Sequence, residues 1–208
     1  MLAHDRTFIM SVCVGVVLFV ASFFANFYAG IYATERASNY VTDIILSNIP
    51  VFDVHIIFIY GAIVFWLFII TLCVLEPRRI PFVLKSLAVF IIVRSVFVSL
   101  THIGPFPVRD IITPGYILSK FTFGGDLFFS GHTGLPFLAG LLFWKDKALR
   151  YVCLASSVIF AIVVLMGHLH YSIDVLAAFF ITYSIFKISE WSFPRDEKYF
   201  DAETLPEL

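Results

Sequence analysis

His170 and Asp174 stand four residues apart in the run Gly167–Val175, inside an otherwise apolar stretch. Helical residues at i and i+4 share a face, so this spacing predicts that the carboxylate reaches the imidazole. A carboxylate held against one ring nitrogen fixes the tautomer and makes the other nitrogen a better nucleophile or base. The plainer reading is a buried polar pair that pins two helices. Both groups are unfavourable in a helix that faces lipid, which directs the pair toward an interior site. A second polar cluster runs from Gly124 to Thr133. Ser130-Gly131-His132 at a helix start suits an oxyanion, because first-turn N–H groups are unpaired and the helix dipole favours negative charge. Ser130 adds a hydroxyl donor, His132 a proton donor, and Gly131 allows close approach. Asp126 reads as a site residue or as a loop cap. His168 points to a different side from His170 on an ideal helix, which suits a supporting role or substrate contact.

The elements that must position these residues are membrane helices. Hydrophobic residues make up 60% of the 208 positions and charged residues 14%, far from the soluble-protein average. Spans of about 20 apolar residues cross a bilayer as helices. The expected fold is all-α and polytopic, with six such spans: Phe8 to Ala33, Val54 to Leu75, Pro81 to Ile103, Leu127 to Trp144, Leu149 to Gly167 and His170 to Trp191. Residues 1–191 then form one six-helix membrane domain, with a catalytic core over about 50–191 and a poorly ordered cytoplasmic tail at 192–208. The first span reads as a retained signal-anchor, since its apolar run outlasts a signal core. A short interfacial helix is expected around Val41–Leu46.

Charge sets the expected orientation. With the N-terminus inside, the inner segments hold Arg6, Arg78, Arg79, Lys85, Lys145, Lys147, Arg150, Lys187, Arg195 and Lys198, and the outer ones only Arg36, Arg109 and Lys120. The positive-inside bias puts both termini in the cytoplasm. The outer ends of the last four spans then meet on the non-cytoplasmic side, with Arg94 in the outer half of the third. Arg94 reads as a phosphate ligand or a snorkelling arginine. Asp43, Asp53 and His55 read as solvated loop residues, and Thr101 and His102 as caps. Cys13, Cys73 and Cys153 lie in apolar runs without metal-ligand spacing, so no metal or cofactor is expected. A net charge of −1 argues against a nucleic-acid partner.

Taken together, the two clusters resemble the type 2 phosphatidic acid phosphatase superfamily, and within it the sphingomyelin synthase branch. Gly125, Asp126, Ser130, Gly131, His132 and Thr133 match one motif of that branch. His168, His170, Tyr171, Asp174 and Val175 match another, with Ser172 in place of Thr, and Arg94 with Thr101 fits a third. Gly124 stands where the branch has Cys, and Leu169 where relatives often carry an acid. The resemblance implies that His170 attacks a phosphate ester and forms a phosphohistidine. Asp174 orients the ring, and His132 protonates the leaving alkoxide and then deprotonates the acceptor. Arg94, Ser130 and the Gly131–His132 amides hold the non-bridging oxygens, with His168 and Asp126 in the same phosphate-binding group. No cofactor enters this scheme. The partners are a lipid phosphate or phospholipid and, for a transferase, a lipid alcohol. If water accepts instead, the same residues make a phosphohydrolase. A transporter or membrane scaffold is the reading from another class, weakened by the lack of inverted repeats.

Overall fold

The computed structural model describes residues 6–110 and 125–201, and among them it is all-helical. In a bilayer the backbone must satisfy its own hydrogen bonds, so long apolar runs become helices. The elements are α1 (Arg6–Arg36), α2 (Ala62–Leu75, opened by a π turn at Ile57–Gly61), α3 (Ile80–Leu100, after a 3₁₀ turn at Pro77–Arg79), α4 (Gly131–Leu142), α5 (Lys147–Met166), α6 (Ser172–Ser192) and α7 (Pro194–Asp201). Five segments are long and apolar enough to cross a membrane: Arg6–Arg36, Ile57–Leu75, Pro77–Leu100, Lys147–Met166 and Ser172–Ser192. These five agree with the expected spans to within a few residues.

The remaining expected span, Leu127 to Trp144, differs. Its helical part is α4, with 12 residues. At 1.5 Å per residue that is about 18 Å, short of the roughly 30 Å hydrocarbon core. The preceding residues are extended because Ser130, with ψ 115°, is the N-cap; its Oγ accepts from the Thr133 N–H at 3.4 Å. Two further expectations change. Residues Pro194–Asp201 form α7 rather than a loose tail, and residues 202–208 lie outside the described range, as do Lys120 and Gly124. Residues 44–48 make turns, not an interfacial helix.

α3 is the centre of the bundle. α1 and α6 both pack against it, and α4 contacts both α5 and α6. Phe82 and Phe90 of α3, Phe129, Leu138 of α4 and Ile185 of α6 share one buried cluster. The close approach of α4 depends on Gly134, where an added Cβ would lie 2.8 Å from both Phe90 Cζ and Thr182 Oγ1. Ser157 Oγ of α5 donates to the Thr133 carbonyl at 2.7 Å and pins the first turn of α4.

The two ends of the bundle are built differently. At one end the connecting loops knit together: Phe52 N–H bonds the Met166 carbonyl, Asp110 N–H the Gly167 carbonyl, and Val54 N–H the Asp110 carboxylate, each at 2.9 Å. At the other end α7 docks through Asp196, which is buried against Lys85 and Ser11. Phe200 of α7 packs its ring on Phe82 and Phe143.

Candidate active site

The knitted end holds both sequence clusters. The helix of the second motif starts at Ser172, so His170 lies just before α6 rather than on its face. This corrects the expected i, i+4 helical pair. Asp174 is the third residue of α6, and its Oδ2 accepts the Tyr171 N–H at 2.9 Å. A carboxylate in that position satisfies an orphan donor of the first turn and suits the helix dipole. The same Oδ2 lies 3.5 Å from His170 Nδ1, beyond a good hydrogen bond. His170 Nδ1 and Asp174 Oδ1 are both buried without a hydrogen-bond partner. The carboxylate thus faces Nδ1 and leaves Nε2 as the ring nitrogen away from it.

The chain reaches His170 through a tight reversal after α5. His168 carries it, at φ 52°, a left-handed conformation costing about 1–3 kcal/mol. His168 Nδ1 lies 2.8 Å from the Val108 carbonyl. A carbonyl only accepts, so Nδ1 holds the proton and Nε2 of the neutral ring is an acceptor. That Nε2 is buried and unpartnered. In that tautomer Nε2 has no proton to donate to a phosphate oxygen.

Arg94 joins the first motif to α3. Its Nε donates to the Phe129 carbonyl at 2.9 Å and its Nη2 to the Asp126 carbonyl at 2.6 Å; Nη1 bonds Asp126 Oδ2 at 3.3 Å. A guanidinium has five N–H donors, so Nη1 keeps one outside these bonds. Asp126 therefore meets Arg94 with both its carboxylate and its carbonyl. A Cβ at Gly131 would lie 3.5 Å from Arg94 Nε, which places the start of α4 beside the guanidinium. Ser130 N–H donates to the Asp174 carbonyl at 3.2 Å and joins the two motifs directly. Ser130 Oγ also accepts from Thr133 Oγ1 at 3.2 Å.

His132 points elsewhere on α4. Its ring stacks on Phe58 with centroids 3.9 Å apart and meets Phe160 edge-on. It lies within electrostatic reach of both His170 and Arg94. All eight expected site residues thus gather at one end of the bundle, while Thr101 bonds the Phe97 carbonyl and only ends α3.

Three contributors were not expected from sequence. Phe58 braces His132, and an aromatic in a Phe-rich chain gives no signal. Asp110 ties two loops, which only the fold reveals. Asp43 is buried, not solvated. Its Oδ1 accepts the N–H groups of Ile45 (2.8 Å) and Leu46 (3.1 Å), and its Oδ2 accepts the Ser172 N–H (2.8 Å) and hydroxyl (2.7 Å). Burial pushes its pKa up, but the Ser172 hydroxyl and the Leu46, Ser172 and Ile45 amides outweigh it and hold the carboxyl below its ordinary value. The only readable signal was local: Asp before a turn, with its side chain bonding two residues on. Among the described residues no group of three or more His, Cys, Asp or Glu could hold a metal ion.

No curated protein and no solved structure matches the chain. One family model does: PAP2 superfamily C-terminal, over residues 124–191, which contain both motifs. The five apolar helices fit an integral membrane protein, and the match supports the PAP2 superfamily and, with it, an enzyme of the phosphatase type.

Proposed function

We propose that this chain is a membrane enzyme that moves a phosphorylated head group between lipids through a phosphohistidine on His170, in the manner of the sphingomyelin synthase branch. One observation carries the reading: Ser130 N–H bonds the Asp174 carbonyl, so the phosphate-holding motif and the His170–Asp174 pair form one unit. His170 Nε2 attacks phosphorus, a P–N bond forms, and the P–O ester bond breaks. The leaving alkoxide takes a proton from His132. An acceptor hydroxyl then gives its proton to His132 and attacks phosphorus, breaking the P–N bond. Covalent capture splits the transfer and lets the acceptor change between steps. Asp174 faces Nδ1 and stabilises the positive charge the ring gains. The free Nη1 donor of Arg94 and the first-turn amides of α4 meet the non-bridging oxygens.

In this reading α4 and its extended lead-in complete a sixth crossing. The positive-inside bias then puts both termini in the cytoplasm and the site on the opposite side. The test uses purified protein with head-group-labelled phosphatidic acid and phosphatidylcholine, with and without ceramide or diacylglycerol. Transfer predicts an acid-labile label on His170 and label in a new lipid. Release only as free phosphate or head group would make the enzyme a phosphohydrolase. Full turnover by His170→Ala would overturn the phosphohistidine.

A further inference from the structure

We propose that Asp43, in the loop after α1, is a positioning residue that keeps Asp174 facing His170 by taking the competing amide of Ser172. The proposal rests on the reading of His170 and Asp174 given above. α6 starts with two adjacent orphan donors, the N–H groups of Tyr171 and Ser172. Each is met by a separate carboxylate: Asp174 Oδ2 takes Tyr171 at 2.9 Å and Asp43 Oδ2 takes Ser172 at 2.8 Å. Because Asp43 relieves it of the second donor, Asp174 keeps Oδ1 without a partner. An unsatisfied buried carboxylate oxygen is unfavourable; with the Ser172 N–H already taken by Asp43, the carboxylate faces the equally unpartnered His170 Nδ1.

Asp43 is itself over-determined. Two amides of its own turn hold Oδ1, and a carboxylate so fixed cannot follow α6 if the helix shifts. Around it, Tyr171 Oη donates to the Gly104 carbonyl at 2.8 Å and accepts the Val41 N–H at 3.3 Å. The loop after α1 and the loop after α3 therefore both close on the first turn of α6. Without Asp43, the bare Ser172 N–H competes for Asp174, and the carboxylate rotates away from His170 Nδ1.

Proline separates this role from simple tethering. It has no N–H and is favoured at the first helical position. Tyr171, at φ −70° and ψ 156°, already has the conformation required before proline. Asp43→Ala, Ser172→Pro and the double variant are compared as full chains in nanodiscs. Two readouts are used: His170 ring ¹⁵N shifts, which report the tautomer, and kcat and KM for labelled phospholipid turnover.

Asp43→Ala is expected to mix the His170 tautomers and to lower kcat about 10- to 100-fold with KM nearly unchanged, as for a displaced catalytic group. Ser172→Pro alone keeps the single tautomer and the wild-type kcat, with some loss of stability because Asp43 Oδ2 loses both its partners. The double variant recovers the single tautomer and most of kcat, because the competing donor is gone. A double variant as slow and as mixed as Asp43→Ala would overturn the proposal, as would an Asp43→Ala that matches wild type. If the tautomer shifts and is rescued while wild type turns over no lipid, the placement of Asp174 by Asp43 stands and the proposed function fails.

Discussion

Two buried polar clusters lie at opposite ends of this bundle, and they differ in what is left unpaired. At the α7 end, Lys85 Nζ donates to Asp196 Oδ2 and to Ser11 Oγ, both at 2.6 Å, and Ser11 Oγ donates to Asp196 Oδ1. Every carboxylate oxygen has a partner, and the ring of Phe193 covers the ammonium at 5.3 Å. At the other end, His170 Nδ1, Asp174 Oδ1 and His168 Nε2 are buried with none. Buried polar groups are normally hydrogen-bonded. A closed set is a lock, and its charge pair contributes to holding α1, α3 and α7 together. An open set leaves polar atoms free, and in the proposed reading the lipid phosphate meets them. Burial alone does not separate the two, since Asp174 and Asp196 are both almost fully enclosed.

The comparison breaks most sharply at His170. His170→Ala is expected to lower turnover about 10⁴-fold or more, as for a lost nucleophile, with the unfolding temperature unchanged; a single-turnover assay checks it. Asp174→Asn keeps the cap on Tyr171 yet is expected to lower kcat about 10³-fold, because the ring loses its orienting charge. A variant that lost stability and kept kcat would move Asp174 to the locking class.

The lock should respond in the opposite sense. Asp196→Ala leaves the Lys85 charge buried and unpaired, a loss of about 3–5 kcal/mol in stability. Turnover per folded molecule is expected to stay at the wild-type level. The pair Lys85→Met with Asp196→Leu restores most of that stability, since apolar replacement of a buried ion pair is near neutral. Thermal unfolding in detergent reads both. The smallest expected effect is at Phe58→Ala, where loss of the ring stacked on His132 lowers kcat about 10-fold by loosening the proton donor. An unchanged kcat there would mean that Phe160 and the α4 backbone position His132 without help.

The membrane class and most of the spans were legible in the residues alone. Leu, Val, Ile and Phe in runs near 20 residues leave a helix as the form that satisfies the backbone in lipid. The sequence also marked the residues that gather at one end, because His, Asp and Arg stand out against an apolar chain. Their mutual placement was beyond it. The i, i+4 rule assumed that His170 was helical, but Asp174 caps Tyr171, and the helix starts at Ser172, two residues after His170. Asp126 and Arg94 are 32 residues apart, and only the return of the chain past α3 pairs them. Asp43 reads as a loop acid until the fold brings it 129 residues along the chain to Ser172. The reason is physical: helix formation and hydropathy act over one or two turns, whereas hydrogen-bond partners of buried groups come from whichever segment packing delivers. Tertiary structure alone decided which polar atoms would be satisfied and which would be left open.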